Sequence, residues 1–179
     1  MDPIFNGVDL ALFKNGLDPD LHPDVDWHNT ILRDHSWNQQ AHLSASGGGQ
    51  VARYYMSLGF INKEALMKQA KGVTPYSTNV NYRQYNFRAN VDVNMTKSTI
   101  LNLGLETTIV TQNYPGYGNS TDALWQAASN LTPITVPLRY SSGEYPAYGS
   151  DNNQISPYVL LNLTGYRNTY RNNTKIRVS

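Results

Sequence analysis

Residues 85–95 read YNFRANVDVNM, and this short run decides the fold class of the chain. Tyr85, Phe87, Ala89, Val91, Val93 and Met95 fall on one face of an extended strand, with Asn86, Arg88, Asn90, Asp92 and Asn94 on the other. Successive side chains of a strand point to opposite faces, so strict alternation means one apolar and one polar surface, a pattern no helix produces. Two neighbouring segments repeat the period. Upstream, Ala52, Tyr54, Met56, Leu58 and Phe60 oppose Arg53, Tyr55, Ser57 and Gly59. Downstream, Leu101, Leu103, Leu105, Thr107 and Ile109 oppose Asn102, Gly104, Glu106 and Thr108. Weaker alternation predicts flanking strands over Ala41–Ser46 and over Tyr166–Ser179, the latter placing Arg167, Thr169, Arg171, Asn173, Lys175 and Arg177 on one face.

The expected architecture is therefore all-β: an antiparallel meander of about five long strands. Its connections fall into two classes. Gly47-Gly48-Gly49 and Met95-Thr96-Lys97-Ser98 are short turns, whereas Asn62–Asn81 and a segment over 113–158 are long and rich in Pro, Gly, Ser and Tyr. Within the second, NSTDALWQAASN opens with capping residues and predicts a short helix. Short turns at one end and long loops at the other is the asymmetry of an outer-membrane barrel, and the run Tyr82–Met95 meets the roughly 9–11 residues that a tilted spanning strand needs. A soluble carbohydrate- or protein-binding β-module is the alternative, because the half-buried strands of a sandwich alternate too.

Residues 1–37 have a different texture. All four His and the carboxylate group DPDLHPDVDW lie in or beside this segment, Pro19 and Pro23 hold it extended or turned, and Asp26 predicts the cap of a short helix from Trp27 to about Asp34. It reads as a connector of residues 1–37 leading into strands over 38–179.

Composition narrows the function classes. The formal net charge of the 179 residues is +1 and no Lys/Arg-rich run occurs, which argues against a nucleic-acid partner. Cysteine is absent, so a disulfide scaffold, a thiolate metal site and a cysteine nucleophile are excluded together. The first residues, MDPIFNGVDL, lack the basic start and apolar run of a secretory signal, so an exported product takes its signal from outside this chain.

Few residues point to chemistry. Asp18, Asp20, Asp24 and Asp26 lack the spacing of a calcium loop and read as turn and cap residues. His28, His35 and His42 recur every seven residues, yet no helix can run through all of them because alternation starts by Ala41, so no metal site is expected. Glu64, Glu106 and Glu144 have nothing in the sequence that pairs them as a glycosidase acid and base, and neither a catalytic residue nor a cofactor is expected. The aromatics of the long segment are the best binding candidates. Tyr114, Tyr117, Trp125, Tyr140 and Tyr145 sit among Gly, Pro and Asn, where rigid rings offer flat contact area and a polar tip for a ligand. Their bland alternative is packing of the loop itself.

The order of motifs carries a resemblance. DPDLHPDVDWHNTILRD, then HLSASGGG, then ARYYMSLGFINKEAL and YRQYNFRANVDVNMTKSTILNLGLE resemble the SusC/RagA-like family of TonB-linked outer-membrane receptors, closely over about Gly16–Thr108 and more loosely beyond. The resemblance implies a fragment of a large transmembrane β-barrel in the outer membrane, not an enzyme, serving import of glycans or peptides. It implies as partners the remainder of the barrel and its plug, a SusD-like surface lipoprotein, and TonB acting through parts of the receptor outside this segment. Five strands do not make a closed wall, since bacterial barrels close with at least about 8, so this segment alone is not expected to transport.

Overall fold

A computed structural model describes residues 4–70, 72–117, 121–146 and 155–179. Five strands form one antiparallel sheet in simple sequence order: β1 (Asn38–Gly48), β2 (Ala52–Glu64), β3 (Asn81–Asn94), β4 (Ile100–Pro115) and β5 (Tyr166–Val178). The meander is as expected from alternation, and each strand has 11 to 16 residues, about twice or more the roughly 5–6 usual in globular sheets.

Local chemistry explains the tight ends. At the β1–β2 turn Gly48 adopts a φ of 152°, and a Cβ there would lie 2.5 Å from the Ala52 carbonyl oxygen. Only glycine fits. The adjacent Gly47 stands opposite Tyr54, whose ring lies where a Cβ would be, 2.7 Å from the hydroxyl. At the β3–β4 turn, Met95 N–H and Thr96 N–H both donate to the Thr99 carbonyl, at 2.9 and 3.2 Å. From the opposite strand ends, β2 leads out toward Lys68 and β4 toward Trp125.

Among the described residues four short helices lie outside the sheet: α1 (Gly7–Asn15), α2 (Trp27–Ile31), α3 (Asp122–Asn130) and α4 (Pro157–Asn162). As expected, Asp26 caps α2, accepting from Asn29 N–H at 2.9 Å, and a helix forms within NSTDALWQAASN. Helix α2 ends sooner than the sequence suggests. Leu32 turns extended and bridges Met67, and Arg33 N–H donates to Leu66 O at 2.6 Å, so a backbone partner distant in sequence replaces the next helical turn. Helices α1 and α4 were not anticipated. The first is closed by a capping box between Asn6 and Asp9 and by Gly16 in the left-handed region at φ 60°; the second begins at Ser156-Pro157, a cap followed by proline at the first helical position.

The chain divides into two compact units that interleave in sequence. One comprises Met1–Asp34, Leu66–Asn79 and Tyr114–Tyr166, so the connector shares a unit with both long connections; the other comprises His35–Ala65, Val80–Asn113 and Arg167–Ser179. Their interiors differ in kind. In the first unit Trp27, Ile31, Met67, Leu124, Leu131 and Leu161 are buried, and α4 packs on both α2 and α3. Hydrogen bonds cross between its segments: Trp27 Nε1 donates to Thr132 O at 3.3 Å, Val25 N–H to Pro133 O at 3.0 Å, and Lys68 N–H to Ile31 O at 2.7 Å. The Asn162 side chain, itself buried, accepts from Ala70 N–H at 3.3 Å and donates to Tyr158 O at 3.2 Å.

The sheet has no such interior. Of its strand residues only Pro115, at the end of β4, is buried. The connections of this protein carry its core while its strands lie bare, the reverse of a soluble β-sandwich.

Candidate functional site

The ladders fix which side chains share a face. Leu43, Leu58, Phe87 and Thr107 stand in one row across β1 to β4, and Ala45, Met56, Ala89 and Leu105 in the next. Asn102 and Ser179 exchange backbone hydrogen bonds at 2.7 and 3.1 Å, and the Thr107 and Thr174 hydroxyls meet at 3.2 Å, which sets the β4–β5 register and adds Ile176 to the second row and Val178 to the row of Leu103. The apolar surface is thus continuous from β1 to β5.

Its extent has a physical scale. From Val93 to Tyr85 the apolar rows span eight residues, about 26 Å along the strand at ~3.3 Å per residue. A tilt of about 40° reduces this to roughly 20 Å of height, of the order of the ≈ 25 Å outward apolar band of outer-membrane barrels. Aromatics stand near its margins: Phe60 and Tyr85 pair with ring centroids 5.2 Å apart at one, and Tyr54 lies near the other. The band is open: Leu43 is 68% exposed, Leu58 54% and Ile176 76%.

The opposite face is mainly polar, with Ile61 and Val110 as apolar members of one row beside Gln84. Ser57, Arg88 and Glu106 form one row, with Arg88 Nη2 at 3.1 Å from Glu106 Oε1. Asn86 accepts from Gln84 at 2.8 Å and from Thr108 at 3.2 Å, continuing a polar network along the same face. On β5 the same register presents Arg171, Lys175 and Arg177 to this side.

The five aromatics singled out from the sequence do not form one platform. Tyr114 lies next to the end of β4 as a half-buried residue, so the strand runs further into the expected loop than alternation suggests. Tyr117 follows it at 37% exposure. Trp125 is on α3, 39% exposed, on a helix whose Leu124, Ala127 and Ala128 face the core. Tyr140 sits in a tight turn, donating its N–H to Glu144 O at 2.9 Å.

Tyr145 is used internally. One side of its ring stacks on Tyr158, with centroids 5.6 Å apart and planes within 18°, and the Arg139 guanidinium lies 5.3 Å from its centroid. Arg139 is held there by its Nε donating to Gly143 O at 2.7 Å. Burial, chiefly, and then the hydrogen bond and charge of Tyr145 hold the Tyr158 phenol above its usual pKa of about 10, while Arg139 pulls the other way. Tyr145 packs the loop, and Tyr117 and Trp125 are the more exposed rings.

The carboxylates of the connector tie structure together. Asp20 accepts from Ser141 N–H at 2.8 Å and from its hydroxyl, and His22 lies between Asp9 and Asp18 at 3.3 and 3.5 Å. Among the described residues no group of three His, Asp or Glu is placed to hold a metal ion. A scan against models of known protein families finds no match, and a search of curated proteins finds none.

Proposed function

We propose that this chain is a segment of the barrel wall of a TonB-linked outer-membrane receptor of the SusC/RagA-like kind, which imports glycans or peptides. The observation that carries the reading is a one-layer sheet of long strands whose continuous apolar face has no covering layer among the described residues. In water each such Leu or Phe left uncovered forgoes about 1.5–3 kcal/mol. In a bilayer the same face meets hydrocarbon, while Arg88, Asn90 and Glu106 line an aqueous interior. Backbone groups at the free edges of β1 and β5 then require neighbouring strands, because lipid satisfies none of them. The remainder of the barrel and its plug are thus the first partners. The long connection over 113–158 would meet substrate or a SusD-like lipoprotein on the external side, where the long loops of outer-membrane barrels lie, and TonB engages other parts of the receptor. The role is enclosure and binding, without catalysis.

The test is spin labelling at adjacent positions. This chain contributes no cysteine of its own, so Phe87→Cys and Arg88→Cys give defined labels. In bilayers the label at residue 87 should be relaxed by oxygen and shielded from a water-soluble nickel chelate, and the label at 88 should behave in the opposite way. Equal access of the chelate to both would mean a soluble sheet and end the barrel reading.

A further inference from the structure

The polar face of the sheet contains a cleft of about 510 Å³, lined by Arg88, Asn90, Gly104, Glu106, Lys175 and Arg177. It exists because of one residue. Gly104 is the only position in its row without a side chain, between Asn90 on β3 and Arg177 on β5; a Cβ there would lie 3.3 Å from Asn90 Oδ1 and 3.6 Å from Arg177 Cβ. The floor is backbone, and the walls are longer polar side chains.

Charge in the cleft is unbalanced. Three cations surround it and one carboxylate, and that carboxylate, Glu106, is already engaged by Arg88 at 3.1 Å. Among the described residues no carboxylate lies within ion-pair distance of Lys175 or Arg177. Two positive groups two residues apart on β5 therefore point to the same side over an open floor, and among the described residues neither closes an ion pair. Their natural complement is an anionic group, because charge-assisted hydrogen bonds to a carboxylate or sulfate are the strong ones available to Arg and Lys.

We propose that the cleft over Gly104 binds the carboxylate of an acidic oligosaccharide, with Lys175 and Arg177 as the anion-holding pair. The inference rests on the barrel-wall reading, in which this face is turned to the aqueous interior, and it narrows the imported substrate to a carboxylated sugar. The rest of the cleft suits hydroxyl groups: the Asn90 amide offers both a donor and an acceptor, and the Arg88–Glu106 pair offers one of each at its exposed edges. A bare glycine floor lets a flat ring approach the sheet backbone. An acidic peptide fits less well. β3 and β4 have both edges occupied in the ladders, so no backbone edge is offered at the floor of the cleft.

The experiment uses the full chain refolded in detergent and titrated calorimetrically at low salt. Its probes are a short galacturonic acid oligomer, the corresponding neutral galactose oligomer, and oligoglutamate. The galacturonate oligomer should bind and the neutral oligomer should not. K175Q/R177Q should weaken galacturonate binding by about tenfold or more, and G104L, which fills the floor and leaves every charge in place, should do the same. R171Q, an equal loss of charge elsewhere on β5, should change it by less than about twofold. Absence of galacturonate binding with strand circular dichroism intact overturns the proposal. So does binding that ignores G104L, which would mean diffuse attraction to a basic strand, or oligoglutamate binding as tightly as galacturonate. Spin labels at 87 and 88 on the same sample separate the two levels: alternating accessibility without binding sinks the cleft alone, and binding without alternation sinks the barrel wall alone.

Discussion

Arg88 on β3 and Glu106 on β4 stand directly opposite each other, and their side chains close an ion pair at 3.1 Å on the polar face, one residue away from Phe87 and Leu105 on the apolar one. Both partners are about half exposed, 51% and 46%, so the pair contributes little to stability by itself. Its significance is positional: a charge pair and an aromatic–aliphatic surface lie back to back on a single layer of backbone.

Single substitutions at neighbouring positions should therefore diverge. In a membrane-refolding assay of the parent barrel, Val91→Arg should cost about 2–4 kcal/mol, and Asn90→Arg much less, because only the first puts a charge against lipid. Equal tolerance would count against a membrane-spanning sheet.

The location of the core gives a second expectation. Leu161 is fully buried between helices, so Leu161→Ala should cost about 2–5 kcal/mol and raise hydrogen exchange across α2, α3 and α4. Leu58→Ala, at an exposed sheet position, leaves no cavity and should cost less. The reverse order would place the stabilising core in the sheet.

The loop aromatics should separate into two groups. Tyr145→Ala removes a stacked ring and a cation–π contact, each worth about 0.5–1.5 kcal/mol, and should lower the thermal stability of the loop unit. Trp125→Ala should leave stability within about 0.5 kcal/mol but weaken uptake or lipoprotein association in the intact receptor. Unchanged uptake and association in the Trp125 variant would assign this ring to the surface alone.

Tyr158 sets a pH limit on the same unit. A phenol whose pKa is raised in the folded state stabilises while it stays protonated, so its contribution is complete below the unfolded value of about 10 and is lost as pH rises through the folded value. The stability of the wild type should thus fall relative to that of Tyr158→Phe as pH rises above about 10, because phenylalanine has no proton to lose. A titration in which Tyr158 ionises at or below about pH 10 would remove the basis for this.

Much of this fold was legible because alternation is local. The alternating runs Ala52–Phe60, Tyr85–Met95 and Leu101–Ile109 lie within one residue of the bounds of β2, β3 and β4 or inside them, and parity alone puts Arg88 and Asn90 on one face, which Glu106 joins through the β3–β4 register. Helix α1 is also written locally, in Asn6, Asp9 and Gly16, and α4 in Ser156-Pro157, although the architecture expected from alternation includes neither. The candidate aromatics were legible as rings in a loop, but not as rings with or without a partner.

What the sequence by itself determined is the two-faced sheet: period-two alternation dictates which side chains share a surface wherever the strand is placed. What only the tertiary structure decided is everything that joins distant segments. Trp27 meets Thr132, Asp20 meets Ser141, and Asn162 meets Ala70, which builds a core from short apolar stretches far apart in the chain. The β4–β5 register likewise spans the long connection, and it alone brings Lys175 and Arg177 beside Gly104 and Glu106. Such contacts carry no periodic trace, because their energy comes from burial and from hydrogen bonds that exist only after the chain has closed on itself.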